Sequence, residues 1–197
     1  MSTVLDLLET LELRVEVPKN VYPALNKAIR LVAKRLRYHQ SDIITSSYSL
    51  SYAADASTAS LPSDFWGLTG KPYEDGKSYP LKPLPDKDYK LVWDSSSIAR
   101  WYRVINTTLE IIPPTASAIT VKGDYFQRPT AMSKIDDTLP YNELFDDAIE
   151  EYLVGAIGGK PDPMIIQQAV DDTIVNHDRS APDQLEDDMN WDSMYDG

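Results

Sequence analysis

Any chemistry in this chain must be done with carboxylates, hydroxyls and a few cations. The sequence holds no cysteine and two histidines, His39 and His177, against 31 Asp and Glu. Without thiols there is no disulfide framework, no thiolate nucleophile and no Cys-ligated zinc or iron–sulfur centre. Two histidines do not furnish a multi-His metal site. None of the motifs G-x-S-x-G, G-x-x-x-x-G-K-[ST], H-E-x-x-H or G-x-G-x-x-G occurs. Asp86-Lys87-Asp88 opens like a calcium loop but lacks the central Gly and the closing Glu. Asp136-Asp137 and Asp146-Asp147 are adjacent acids, which diverge by about 100° on a helix. A glycosidase pair must instead face each other roughly 5–10 Å apart across a cleft, and nothing in the spacing singles out such a pair. His39 and His177 each fall at a helix end, where an imidazole serves better as a C-terminal cap than as a general base. The sequence therefore carries no expected catalytic residue, cofactor or metal, and favours a binding or structural protein over an enzyme.

The cations are better organised. Between Pro18 and Gln40 there is no acid, and Lys27, Arg30, Lys34 and Arg37 recur at helical spacing with Arg35 to one side. Such a stripe is either the solvated outer face of an amphipathic helix or a dock for acidic protein or a DNA backbone. It stands in a chain of net charge −12 that is unevenly distributed: residues 1–139 sum to +1 and residues 140–197 to −13. A globally acidic protein repels nucleic acid, which argues against free DNA binding.

The stripe requires a helix to hold it, predicted over about 20–39. Asn20 is the expected N-cap, and Pro23 falls in the first turn, where a missing N–H is tolerated. Leu25, Ala28, Ile29, Val32 and Leu36 form the apolar face opposite the cations. A short helix fits residues 2–13. Its acids among leucines and lack of a basic start do not read as a signal peptide. No apolar run reaches the roughly 18 residues of a membrane span. Alternation through Tyr48, Leu50 and Tyr52 predicts a half-buried strand. Gly67 to Asp94, broken by Pro72, Pro80, Pro83 and Pro85, reads as loop, with a short element between Leu84 and Trp93. Trp101–Ile105 and Thr108–Ile112 flank Asn106-Thr107 as a hairpin, and Ile119–Phe126 reads as the third strand of one antiparallel sheet. Helices are predicted over 142–157, with Phe145, Ala148, Ile149, Tyr152 and Leu153 inward, and over 163–178, capped by Asp162 with Pro163 first. Gly158-Gly159 separates them. Residues 180–197 read as an acidic tail with apolar anchors, among them Trp191 and Tyr195, which is either a floppy terminus or a segment that orders on a partner.

One ordered series of segments is familiar as a whole. Leu61-Pro62-Ser63-Asp64-Phe65 is followed by the hairpin Tyr102 to Pro114. Tyr125-Phe126-Gln127-Arg128-Pro129 and Asp136-Asp137-Thr138-Leu139-Pro140 come next, then the helix through Ala148 and Tyr152. The series resembles the head-to-tail adaptor (head-completion, connector) proteins of tailed bacteriophages over roughly residues 20–178. The Pro-rich stretch 70–86 and the acidic tail lie outside the pattern. The resemblance implies a non-catalytic virion protein of the neck or tail, assembled in the host cytoplasm. It implies a ring, usually of twelve copies, beneath the portal protein, which continues the channel for genomic DNA and seats tail, nozzle or fibre proteins. Neither a cofactor nor a membrane is implied.

The fold class expected is α+β: a helical bundle from N- and C-terminal helices with an inserted antiparallel β-sheet module at about 43–128. Residues 1–179 would make a single adaptor domain. The expected interface residues are Lys27, Arg30, Lys34 and Arg37, meeting the portal or a neighbour's acidic C-terminal helix, with Trp191 and Tyr195 as tail anchors. Twelve basic stripes lining a channel would grip DNA rather than let it slide, so protein is the favoured contact. Three competing readings are a carbohydrate- or receptor-binding β module, from the 12 Tyr and 4 Trp, a hydrolase built on acids, and an oligomeric scaffold outside phages.

Overall fold

The computed structural model describes residues 2–84, 98–141 and 143–180. The described residues form four α-helices, α1 (Val4–Glu12), α2 (Tyr22–Tyr38), α3 (Asp146–Ile157) and α4 (Pro163–Ser180). Between α2 and α3 they form eight strands: β1 (Thr45–Tyr52), β2 (Thr58–Ser60), β3 (Phe65–Leu68), β4 (Tyr73–Glu74), β5 (Lys82–Pro83), β6 (Trp101–Ile105), β7 (Thr108–Ile112) and β8 (Ile119–Gln127).

Helix α1 begins on a capping box. Thr3 Oγ1 accepts from Asp6 N at 3.2 Å, and Thr3 N donates to the Asp6 carboxylate at 2.7 Å. The same end is tied to the chain at 135–139 by Val4 N to Asp137 O and Leu5 N to Ile135 O, both 2.9 Å. Helix α2 buries Leu25, Ala28, Ile29, Val32, Ala33 and Leu36. Its N-cap is Val21, with no side-chain cap, so Asn20 does not have the role expected of it. Pro23 in the first turn presents no N–H to satisfy, which lessens the need for a cap. Helix α4 does begin on Asp162, whose carboxylate accepts from Met164 N at 2.9 Å.

The bundle with one inserted antiparallel sheet is corrected by this structure. The fold is α+β, with two sheets and four helices and with strands dominating the middle. One sheet has the order β1-β8-β3, with β4 also on β8, and the other runs β2-β7-β6-β5. The hairpin β6–β7 is present, with Asn106 at φ 53° in its turn. The third predicted strand, β8, is not its neighbour: β8 pairs with β1 from Thr45↔Phe126 to Tyr52↔Ile119. Pro113-Pro114 removes two backbone donors after β7, so the meander cannot continue, and β8 crosses to the other sheet. The stretch read as loop supplies the end of β3 and all of β4 and β5, with β2 before it. These are too short to show alternation in sequence and are held by pairing to longer strands. Pro83 is accommodated because β5 is an edge strand, parallel to β6.

Two cores result. Tyr48, Tyr52, Leu61, Leu81, Leu109, Ile111, Val121 and Tyr125 fill the space between the sheets. The helices enclose the other core, which Ile44, Phe126, Met132 and Leu139 enter from outside them. Strand β8 serves both: Val121, Gly123 and Tyr125 face the sheets, and Phe126, of opposite parity, reaches the helices.

Gly155 gives a test in which local propensity and packing disagree in sign. On helix propensity alone, Ala there would be better by about 1 kcal/mol. A Cβ at 155, however, would lie 2.8 Å from the Lys160 carbonyl oxygen, in the turn closed by Lys160 N to Gly155 O. Gly155→Ala is expected to lower the unfolding free energy in urea by about 1 kcal/mol. An increase would show that the turn can open freely.

Candidate docking surface on helix α2

The cationic stripe divides into three environments. Lys27, Arg30 and Lys34 are exposed, and no ion pair engages them among the described residues. Arg37 is half-buried: its guanidinium lies over Trp66 at 4.8 Å and near Phe126 at 5.9 Å. A Cβ on Gly67 would come within 2.9 Å of its Nη2, so the absent side chain leaves room for the cation. Arg35 turns the other way. Its Nε and Nη2 grip Asp171 of α4, each at 2.6 Å, and His39 Nε2 meets the same carboxylate at 2.8 Å. His39 does occupy the C-cap position, but its ring joins α2 to α4.

The sheet completes the surface. Between Phe65↔Gln127 and Gly67↔Phe126 the register of β3 on β8 slips, leaving Trp66 as the extra residue of a bulge. Phe65 stacks on Tyr125 between the sheets, and Trp66 packs against the helical core. Asp64 fixes this corner. Its carboxylate accepts from the Tyr125 hydroxyl (2.9 Å) and Gln127 Nε2 (2.7 Å), and its carbonyl accepts from Arg128 N (2.7 Å). The chain beyond Arg128 is pinned to α2 by Asn26, whose amide donates to Met132 O (2.9 Å) and accepts from Met132 N (2.7 Å).

Together Arg30, Lys34, Trp66, Arg128 and Pro129 line a concavity of about 390 Å3. Lys27 lies one turn away on the same helix, outside its lining, and Arg37 is behind Trp66. Sequence reasoning missed Trp66 and Arg128 as site residues, although both stood inside or beside the segments that carried the resemblance. Trp191 and Tyr195 lie outside the described residues, as do Asp86-Lys87-Asp88, residue 142, the stretch 85–93 and the His177 side chain.

The acidic pairs have local explanations. Asp137 accepts from Ser133 N (2.7 Å) and Lys134 N (2.9 Å), and these bonds hold its carboxyl below the usual range. Asp146, hydrogen-bonded by Ser2 Oγ, is pushed up by burial at the start of α3. It lines, with Asp6, Asp147 and Glu150, a concavity of about 140 Å3, below the roughly 300–1,000 Å3 of small-molecule sites. This α1/α3 face is acidic where the α2 face is basic. Among the aromatics, Tyr48, Tyr52, Tyr125 and Tyr152 are buried in the cores and offer no sugar-stacking surface. No group of three or more metal-ligating side chains occurs among the described residues, and no helix among them is long and apolar enough to cross a membrane.

The clamp between α2 and α4 has a pH signature. The Arg35 fork, with His39 second, holds the Asp171 carboxyl at about 2. A depressed folded pKa stabilises the fold above the ordinary carboxylate range and is lost as pH falls from about 4 toward 2. The Asp171 side chain is 38% exposed, so screening limits the contribution to about 1 kcal/mol or less. Thermal melts at pH 7, 4 and 2.5 should show a smaller acid loss for Asp171→Asn than for the natural chain. Equal losses would place the acid sensitivity elsewhere.

No curated protein matches the sequence. A family model, the SU10 adaptor protein, matches residues 2–160. That span takes in α1, α2, both sheets, α3 and every residue of the α2 surface, and the chain belongs to this family of phage head-to-tail adaptor proteins.

Proposed function

We propose that the protein forms a ring beneath the portal that joins head to tail and continues the DNA channel, and that the α2 surface docks on an acidic protein surface in that assembly. The observation that carries the docking role is the Arg30/Lys34/Arg128 cluster beside Trp66, without an ion pair among the described residues, in a chain of net charge −12. Three cations lining one concavity, two of them on a helix that carries no acid, complement an acidic partner. The unlike charge of the α1/α3 and α2 faces favours head-to-tail contacts around a ring. The net charge favours protein over DNA as the occupant of the basic face.

The test is size-exclusion chromatography with light scattering on the chain mixed with its cognate portal ring. A complex with about one copy per portal subunit is expected. Separate elution at micromolar concentration and low salt would overturn direct portal binding.

A further inference from the structure

The basic concavity has a candidate occupant in the chain itself. Residues 181–197 follow α4 and contain Asp183, Glu186, Asp187, Asp188, Asp192 and Asp196 with no Lys or Arg. Leu185, Met189, Trp191, Met194 and Tyr195 are interspersed among them. The concavity holds Arg30, Lys34 and Arg128, none with an ion pair among the described residues, together with Trp66 and Pro129, and Lys27 lies one turn away on α2. Acids spaced by aromatic and thioether side chains match cations spaced by an indole and a proline ring in both charge and character.

Reach is sufficient. Helix α4 is clamped to α2 through Asp171 and Arg35. From Asp171 to Ser180 the helix advances about 14 Å, and the stripe from Lys27 to Arg37 spans about 15 Å along α2. The 17 residues 181–197 extend up to roughly 60 Å. A tether of this length keeps its segment at an effective concentration of order millimolar around the concavity.

We infer that, in the unassembled chain, residues 183–197 dock on the Arg30/Lys34/Trp66/Arg128 concavity of the same molecule. This contact does not depend on what else the surface binds.

The absence of cysteine makes the test direct. A nitroxide is attached to Ser193→Cys in the full chain, and 15N-resolved intensities are compared before and after reduction of the label, with no portal present. The expected result is at least about twofold broadening at Arg30, Lys34, Arg128 and the Trp66 indole, reversed at about 1 M NaCl and in Arg30→Glu/Lys34→Glu. Uniform intensities at low salt overturn the inference, as does broadening confined to other surfaces or insensitive to salt. Broadening that appears only when labelled chain is mixed with unlabelled 15N chain also overturns it, by assigning the segment to a second copy. The salt arm needs no substitution in the concavity, so the result does not depend on how the reversal variant folds. Portal co-migration is read separately, so either conclusion can fail alone.

Discussion

The Arg30→Glu/Lys34→Glu chain is expected to elute apart from the portal ring under conditions in which the natural chain co-migrates. The two substitutions change the local charge by four units at the rim of one concavity. Deleting a rim charge costs little, but placing like charges against an acidic surface costs several kcal/mol, which converts to a loss of affinity of about 100-fold or more. Both side chains are exposed and bear no ion pair among the described residues, so the fold should keep its stability within about 0.5 kcal/mol. Lys27→Glu, outside the lining, should weaken binding by less. Salt is the second axis: the natural complex should loosen between about 0.05 and 0.5 M NaCl as the Debye length shortens. Unchanged co-migration of the double reversal would remove this surface from the interface. If the reversal instead abolished retention on DNA while portal binding persisted, the stripe would line the channel.

What could be read from the sequence was set by the range of the interactions. The stripe was legible because helical period brings Lys27, Arg30 and Lys34 onto one face by local geometry alone. The β6–β7 hairpin was legible for the same reason, since its turn and both strands lie within twelve residues. The capping box at Thr3 and Asp6 was equally local but was not recognised. The partners of the stripe were not legible. Trp66 reaches Arg37 through a bulge in a pairing between residues some 60 positions apart in sequence. Arg128 reaches Arg30 and Lys34 through Asp64 and through Asn26 on Met132. Two-residue strands such as β4 and β5 carry no period and exist only because β8 and β6 offer free backbone edges. Pro113-Pro114 was correctly read as ending β7, but the sheet that would receive the next strand depended on Tyr48, Leu50 and Tyr52 finding it across about 70 residues.

Gly123 is where the sheets and the docking surface are most closely coupled, and Gly123→Ala should be the most damaging single methyl addition in β8. Tyr48 lies directly across from Gly123 in the register and lays its ring over it. A Cβ at 123 would stand 2.6 Å from the Tyr48 hydroxyl, 2.9 Å from Cζ and 3.2 Å from Cε1. The ring is buried, 6.3 Å from Tyr125 between centroids, and has only two torsions with which to withdraw. Ala would gain about 0.5–1 kcal/mol from reduced backbone entropy in the unfolded chain, against an overpacking cost of about 1–3 kcal/mol. The net expectation is a loss of about 1 kcal/mol in urea unfolding. Tyr48→Phe separates the contributions. Its hydroxyl is buried with no hydrogen-bond partner among the described residues, so removing it from the natural chain should be close to neutral. In the Gly123→Ala background the same change should recover part of the loss, because the 2.6 Å contact disappears while the one with Cζ remains. A coupling energy near zero in that double-mutant cycle would mean that the strands part without resistance. The effect should extend beyond stability. Phe126 and Arg128 follow Gly123 on the same strand and its continuation, and Phe126 anchors the sheet to the helices. A strand displaced at 123 would move Arg128 relative to Arg30 and Lys34. Portal binding by Gly123→Ala should therefore fall below that of the natural chain even at temperatures where both are folded. Restoration by Tyr48→Phe would show that the sandwich between the sheets sets the geometry of the basic surface.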